Sequence, residues 1–257
     1  MPKPASAALL AALAFLPLQA LADTDGSEWQ VSPRVEYSDV VINGRDAQWR
    51  SHGVTLERST APGNAVFATL ERQQRDDVSD DSLQVGVYRR FGQWNALAQA
   101  QITPDADFLP ERTLEVQADR AVAPNLHAGL GYRRLDFSHS DIGIWSPQLA
   151  YYRGDDEFAL AYKIGRNDTL DHDIRIVQLR ALKAVGRHRV GVYLARGDYL
   201  FDALGLPGGG GSSGWSANLA YAHALNARAT LRVELGRGME ADSFRQDSLA
   251  VSLQYRP

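Results

Sequence analysis

Apolar and polar residues alternate with a period of two along most of the sequence, over residues 29–255. The last segment, for example, places Leu249 and Leu253 on one face and Ser252 on the other. Successive side chains of a β-strand point to opposite faces, so this pattern predicts strands with one apolar and one polar face. Turn-forming residues interrupt the pattern at short intervals, and no amphipathic helical pattern separates the segments. The chain is therefore predicted to be all-β.

Three features favour a membrane barrel over a soluble β-sandwich, which would also alternate. The predicted strands are about 10 residues long, enough to cross a tilted bilayer, whereas strands in globular proteins average about 5 or 6. Aromatic residues lie near both predicted strand ends, as expected at the two membrane interfaces. Tight turns also alternate with longer polar connections, like the periplasmic turns and external loops of outer-membrane barrels. The predicted tight turns are residues 61–64, 91–93, 123–125, 154–156, 186–188 and 226–228, and the longer connections are residues 75–81, 104–111, 138–141, 166–173, 197–214 and 238–247.

This alternation of connections predicts seven hairpins. They form a transmembrane up-and-down antiparallel β-barrel of about fourteen strands with both ends in the periplasm. Residues 29–42 and 47–58 are the least regular pair, so a barrel of twelve strands is the alternative if that pair lies outside the wall. Closure is expected in either case, because hydrocarbon offers no hydrogen-bond partner to an unpaired strand edge.

Residues 1–22 have the features of a secretory signal peptide. Lys3 precedes an apolar run too short to span a bilayer, and Ala20-Leu21-Ala22 resembles a cleavage site. Residues 23–257 are then the barrel domain, expected in a bacterial outer membrane. A mean hydropathy of -0.30 fits this class because only every second strand residue must be apolar. The 26 basic and 31 acidic residues after position 22 give a net charge of -5, which does not favour a nucleic-acid partner.

The polar face of the predicted strands carries the candidate functional residues. Its candidate lumen-lining charges are Glu115, Asp119, Arg133, Arg232 and Glu234. Opposed charges of this kind create a field across the water-filled lumen of a solute- or ion-selective pore. The alternative is a filled interior, in which Arg133 and Arg232 pair with Glu115 and Glu234 for stability only. A barrel of twelve or fourteen strands is wide enough to leave space unless a loop folds inward.

The longest external connection contains a candidate for such a loop. Leu200-Phe201 and Leu204-Gly205-Leu206 are apolar segments within residues 197–214. We predict that they fold into the mouth of the barrel as a constriction.

Two further patterns suggest chemistry but have simpler explanations. Residues 138–141, Ser-His-Ser-Asp, are the residue types of a serine hydrolase, yet sequence neighbours seldom reach the geometry of nucleophile, base and orienting group. Asp168, Asp171, His172 and Asp173 could offer oxygen ligands to calcium or magnesium. An acidic, solvated external loop is the favoured explanation of these residues. Neither pattern predicts a catalytic residue, a metal site or a cofactor.

A set of short motifs carries a family resemblance. The motifs are Phe108-Leu109-Pro110-Glu111-Arg112, Gly129-Leu130-Gly131-Tyr132-Arg133-Arg134-Leu135-Asp136-Phe137, Ser140-Asp141-Ile142, Tyr151-Tyr152-Arg153-Gly154, Arg196-Gly197-Asp198-Tyr199-Leu200, Tyr37-Ser38-Asp39 and Trp49-Arg50. With them the chain resembles the YaiO family of outer-membrane β-barrel proteins. It departs from that family by one inserted residue in the F-P-x-x-R motif and by Arg256-Pro257 after the final aromatic residue. The resemblance implies an outer-membrane location and a loose link to exopolysaccharide and biofilm.

These observations together favour a passive pore or binding channel for a small hydrophilic solute, with a saccharide as one candidate. A structural or assembly barrel without a conducting lumen is the first alternative. An outer-membrane lipid-modifying hydrolase is the second, although the sequence favours a protein that is not an enzyme. Outer-membrane lipid and lipopolysaccharide are the expected partners by location.

Overall fold

The computed structural model describes residues 28–169, 171–198, 213–240 and 244–257, which form fourteen strands of one closed antiparallel barrel. The strands are β1 (Glu28–Ile42), β2 (Arg45–Ala61), β3 (Asn64–Arg75), β4 (Val78–Phe91), β5 (Trp94–Ile102), β6 (Arg112–Ala123), β7 (Leu126–Asp136), β8 (Asp141–Arg153), β9 (Asp156–Asn167), β10 (His172–Val185), β11 (His188–Asp198), β12 (Ser213–Ala224), β13 (Ala229–Glu240) and β14 (Phe244–Tyr255). The prediction of a fourteen-stranded up-and-down barrel is confirmed, and the two least regular segments form β1 and β2. The predicted signal peptide lies outside the described residues.

Pairing between the first and last strands closes the wall. β1 and β14 run antiparallel in register from Val31 opposite Tyr255 to Ile42 opposite Phe244. Each other strand pairs with its neighbours in sequence, so the wall has no open edge. In the described part of the chain, no helix has the length and apolar character needed to cross a membrane.

The outward faces of the strands form an apolar surface. In β9, for example, Phe158, Leu160, Tyr162 and Ile164 are 40–50% exposed and alternate with inward residues. Water would oppose so large a contiguous apolar surface. The hydrocarbon of a bilayer accepts it, which is why the exposed face of this barrel carries leucine, valine and aromatic residues.

The connections at the periplasmic rim match the prediction, whereas some of those at the external rim do not. The short turns of the periplasmic rim lie where the sequence predicts them. At the external rim, the prediction of a long connection at residues 75–81 was wrong, because only residues 76 and 77 separate β3 from β4. A similar two-residue turn, Asn43-Gly44, joins β1 to β2 with φ angles of 50° and 76°, the left-handed conformation of a type I′ hairpin.

The shorter connections arise because several strands continue beyond the span that a membrane requires. β2 has 17 residues, whereas about 9–11 suffice to cross a bilayer. Outside the membrane, cross-strand pairing still satisfies the backbone, and polar side chains replace apolar ones on the outward face. The predicted connection at residues 166–173 is likewise shortened, to residues 168–171, whereas the one predicted at residues 138–141 keeps its length and lies at residues 137–140.

Ion pairs form a belt on the outward face near the external rim, which we call the external collar. Arg134 contacts Asp136 at 2.6 Å and Asp141 at 3.1 Å, and Arg237 contacts Asp247 at 2.5 Å. The collar consists of Arg72, Asp81, Arg134, Asp136, Asp141, Arg166, Asp173, Arg237, Arg245 and Asp247. It lies between the apolar band of the outward face and the external turns.

The lipid-facing assignment predicts a cost that depends on depth. Leu70, 58% exposed near the middle of β3, and Val66, 48% exposed close to the periplasmic turn, point outward from the same strand. We expect Leu70→Arg to lower the free energy of unfolding by about 2–4 kcal/mol and Val66→Arg by about 0–1 kcal/mol. Guanidinium unfolding in lipid vesicles measures both. Equal costs at the two positions would contradict the proposed depth of the bilayer.

Candidate functional site

The periplasmic half of the barrel interior contains a cavity of about 1240 Å³, which we call the chamber. It opens at the rim formed by the short turns, including Gly92, Gly154 and Gly186. Its wall is the inward row of the strands, and its far end is bounded by Leu109 and Leu135. The chamber is therefore open towards the periplasm and bounded by apolar side chains towards the outside.

Four of the five predicted lumen residues line the chamber. The four are Asp119, Arg133, Arg232 and Glu234. Glu115 lies beside them in the same inward row: its Oε2 accepts a hydrogen bond from Gln99 Nε2 at 2.9 Å and lies 3.7 Å from Arg133 Nε. These residues thus belong to separate clusters on the wall, not to one site.

The first cluster joins β1 to β13 across the closing strand β14. Arg34 donates hydrogen bonds to Glu234 at 2.5 Å and to Glu36 at 2.8 Å. Arg232 donates to the other oxygen of Glu234, also at 2.5 Å. Ser252, which lies between Arg34 and Arg232 in the register, is small enough for the side chains to meet above it. Sequence reasoning missed Arg34 and Glu36, although both alternate with lipid-facing residues.

The second cluster lies on β5 to β8 near the periplasmic rim. Asp119 accepts hydrogen bonds from Asn95 Nδ2 at 2.9 Å and contacts His127 Nδ1 at 2.9 Å. The His127 ring packs edge-on against Tyr152, with ring centroids 5.1 Å apart. Charges on this wall are thus compensated by neighbours, as expected for polar groups of limited hydration.

An apolar layer fills the barrel at its external end, and we call it the plug. Inward side chains of six strands meet there with the tip of the loop formed by residues 103–111. The buried members are Val40, Trp49, Phe108, Leu109, Leu135, Ile142, Ile144, Ile174, Ile176 and Phe244. All are at most 8% exposed. Apolar side chains from the wall and the loop are therefore packed together at this level.

One carboxylate holds the loop in the plug. Asp80 on β4 is 2% exposed. It accepts hydrogen bonds from the backbone N–H groups of Asp107 at 2.9 Å, Phe108 at 3.0 Å and Leu109 at 2.7 Å. Hydrogen bonds to an ionised acceptor are stronger than those between neutral groups. Asp80 thus ties the backbone of residues 107–109 to the wall, in addition to the apolar packing of Phe108 and Leu109.

A buried guanidinium lies directly against this loop. Arg75 is 2% exposed, with its Cζ 3.6 Å from the ring centroid of Phe108 and 4.9 Å from that of Trp49. Such cation–π contacts contribute about 2 kcal/mol when desolvated. None of the three guanidinium nitrogens has a hydrogen-bond partner among the described residues. Burying a charge without hydrogen bonds is costly, and the negative charge of Asp80 offsets part of that cost at Arg75.

The predicted constriction and the observed one differ. Residues 200–206, predicted to narrow the mouth, lie outside the described residues. The loop that does fold inward is residues 103–111, whose Phe108 and Leu109 sequence analysis used only as part of a family motif. An available signal was the pair of large apolar residues within an otherwise polar connection.

The two chemical patterns of the sequence are not assembled into sites. Within residues 138–141, Ser138 and His139 are exposed, while the Asp141 carboxylate pairs with Arg134. The carboxylates of Asp168, Asp171 and Asp173 surround Arg166. Across the part of the chain that is described, no three His, Cys, Asp or Glu side chains gather as metal ligands would.

The closed wall, the apolar outward band and the wet chamber define a bacterial outer-membrane β-barrel of porin-like fold. The chain belongs to the family of the YaiO membrane beta barrel domain, which matches residues 31–200. The sequence-based identification of that family is thereby confirmed. Among curated proteins, none matches the sequence.

Several solved structures are similar to this barrel at low sequence identity. An anion-selective porin from Comamonas acidovorans is 15% identical, with a TM-score of 0.46 over 90% of this chain and 100% of that one. Pseudomonas aeruginosa OccK7 is 11% identical, with a TM-score of 0.49 over 91% and 99%. The translocator domain of the autotransporter NalP from Neisseria meningitidis is 10% identical, with a TM-score of 0.48 over 91% and 90%. Likenesses this distant identify no solute and no activity.

The hydrogen bonds to Asp80 predict that its substitution, unlike substitution of Asp81, will loosen residues 107–109. Asp80→Ala removes the acceptor of three loop amides, so we expect amide hydrogen exchange at residues 107–109 to accelerate at least tenfold. Asp81→Ala is the matched control, because Asp81 is exposed on the outward face and its carboxylate pairs with Arg72 at 3.5 Å. Exchange measured by mass spectrometry distinguishes the two. Unchanged exchange in Asp80→Ala would show that apolar packing alone holds the loop.

Proposed function

We propose that this protein is a gated channel for a small hydrophilic solute, which enters the chamber from the periplasmic side and passes outward when the plug opens. The observation that carries the proposal is the contrast between the two interior levels. A wet, charged chamber is closed by a loop that one carboxylate holds in place.

The polar chamber wall supports the solute class. Polar and charged side chains from most of the wall face the chamber, so a solute that exchanges water for hydrogen bonds is favoured over an apolar one. Charges of both signs lie close together, as in Arg34 with Glu234. Such a field orients a polar solute without strongly selecting either ion sign.

The partners available to Arg75 and Asp80 support an opening movement. Gln73 lies opposite Asp80 in the register, which makes Arg75 a diagonal neighbour of Asp80 on the adjacent strand and within reach of a long side chain. When residues 107–109 leave, the Asp80 carboxylate loses three donors and Arg75 loses its aromatic cover. An Arg75–Asp80 ion pair then satisfies both groups. Exchange of partners lowers the cost of opening and gives the plug two discrete states.

Conductance of the refolded protein in planar bilayers tests this proposal. We expect the wild-type channel to be closed most of the time, and the double variant Phe108→Ser/Leu109→Ser to raise its mean conductance at least fivefold, because hydroxyl groups replace the apolar tip of the plug. Pro104→Ser, exposed in the same loop, is the control and should behave as wild type.

Two results would contradict the proposal. If the double variant folds but stays non-conducting, the barrel has a structural role without a conducting lumen. If the wild type already conducts steadily and the double variant leaves the current unchanged, residues 103–111 are not the gate. Correct folding is checked by far-ultraviolet circular dichroism and by the change in electrophoretic mobility on boiling.

We also propose that the external collar contacts lipopolysaccharide. Its arginines lie on the outward face just beyond the apolar band, at the level of the lipid headgroups, and guanidinium groups bind phosphate oxygens in a bidentate manner. Divalent cations could join the collar aspartates to the same phosphates.

Added lipopolysaccharide is therefore expected to raise the Tm of the refolded barrel by several degrees, and dephosphorylated lipopolysaccharide to raise it less. The double variant Arg134→Ala/Arg237→Ala should lose most of this increment. Arg187→Ala, exposed in a periplasmic turn, serves as the control. An equal increment in all three proteins would exclude the collar as the contact surface.

A further inference from the structure

Two aromatic rings form an inward-facing pair on the chamber wall. Phe67 on β3 and Tyr88 on β4 line the chamber, with ring centroids 5.3 Å apart and planes inclined at 29°. Many other aromatic side chains of this barrel lie on the outward face or in the plug. Here the rings are half-buried at the edge of a wet cavity, where the hydrophobic effect alone gives no reason to place them.

The wall is shaped to receive the Phe67 ring. Gly86 lies directly opposite Phe67 in the register, and a Cβ atom at Gly86 would lie 2.3 Å from Cζ and 2.6 Å from Cε1 of the ring. Any larger residue at position 86 would therefore push the ring away from the wall. The absent side chain lets the ring lie over β4 and stack on Tyr88, and we call this stacked pair the aromatic platform.

Amide and carboxylate groups flank the aromatic platform. Gln99 follows Gly86 in the same cross-strand row, and its Nε2 donates to Glu115 at 2.9 Å. On the other side Glu57 lies opposite Phe67 in the register and also lines the chamber. The platform is thus an apolar surface bordered by both hydrogen-bond donors and acceptors.

We propose that the aromatic platform binds one face of a neutral saccharide inside the chamber. A pyranose ring presents C–H groups on a face and hydroxyl groups around its edge, and hydroxyls both donate and accept hydrogen bonds. The C–H face packs on the aromatic rings, while the edge hydroxyls reach the flanking amide and carboxylate oxygens. This inference names the solute class of the proposed channel and rests on that proposed function.

The charges beside the aromatic platform distinguish this ligand from two others. Glu57 and Glu115 occupy the same cross-strand row as Phe67. The charged groups of that row are therefore carboxylates, which disfavour an anionic ligand even though Arg133 lies 3.7 Å from Glu115. A wholly apolar ligand would leave the flanking polar groups without water or hydrogen bonds, which is unfavourable. A neutral ligand with many hydroxyls avoids both costs.

Calorimetric titration of the refolded full-length protein in detergent micelles tests the proposal. The probes are three neutral hexasaccharides, namely maltohexaose, cellohexaose and hexa-N-acetylchitohexaose, and the anionic comparison is hexagalacturonate. We expect at least one neutral probe to bind, and Phe67→Ala and Tyr88→Ala each to weaken that binding at least tenfold. Phe158→Ala removes a lipid-facing aromatic ring that is 50% exposed and should leave binding unchanged.

Two additional variants keep the result interpretable if a ring deletion disturbs folding. Phe67→Leu retains apolar volume but loses the flat ring, so it should also weaken binding. Tyr88→Phe retains the ring and should bind as wild type. Failure of all neutral probes to bind, tighter binding of hexagalacturonate, or unchanged affinity in Phe67→Leu would each overturn the proposal.

The outcome is separable from that of the proposed channel. If the Phe108→Ser/Leu109→Ser variant conducts but no neutral hexasaccharide binds, the platform proposal is overturned and the channel stands. If a hexasaccharide binds through Phe67 and Tyr88 but that variant does not conduct, the chamber is a binding site in a barrel that does not conduct.

Discussion

The backbone groups of the wall must find their hydrogen-bond partners within the wall, because the hydrocarbon around it supplies none. An open edge would leave a row of unsatisfied N–H and C=O groups, each costing several kcal/mol in a medium that cannot hydrogen-bond (~4–8 kcal/mol). Pairing of β1 with β14 removes both edges at once. Once the wall is closed, each strand has one row of side chains towards lipid and one towards the interior. The membrane requires apolar side chains in the outer row. Side chains that bind a solute or close the interior can therefore lie only in the inner row and at the rims.

The inner row divides the interior by height. Near the periplasm it carries charged and amide side chains around the chamber, whereas near the outside it carries isoleucine, leucine and aromatic residues that pack on the tip of an inward loop. Both levels use the same strands, and only the identity of the inward residue changes. The barrel thus combines a polar chamber and a packed hydrophobic core in one interior.

The boundary between these levels depends on a few polar groups with competing partners. Asp80 accepts hydrogen bonds from three loop amides, while Arg75 stays buried against Phe108 and Trp49. Apolar packing favours the loop inside the barrel, but the buried guanidinium opposes it. A closure that combines apolar packing with a buried charge is easier to release than a uniformly packed apolar core, which is the physical basis of the proposed gate.

The fold could be predicted almost completely from local patterns. Alternation in segments such as β14 gives the strands and their outward faces, and the short turns give strand count and orientation. The inward position of Arg232 and Glu234 follows from the same parity, because each lies between lipid-facing neighbours. The error at the external rim also has a local cause. Polar residues such as those at 75–81 are typical of loops, but they are equally typical of a strand that extends into water beyond the membrane.

What the sequence alone determined is therefore the membrane-spanning wall, because a period of two is a property of neighbouring residues and needs no knowledge of distant ones. The tertiary structure decided which inward residues lie at the same level along the barrel axis. The rings of Trp49 and Phe244, far apart in sequence, have centroids 6.1 Å apart. Arg34 likewise forms an ion pair with Glu234 across the closing strand. These meetings depend on register and closure, which are set by the whole ring of strands. The chamber, the plug and the aromatic platform exist only at that level.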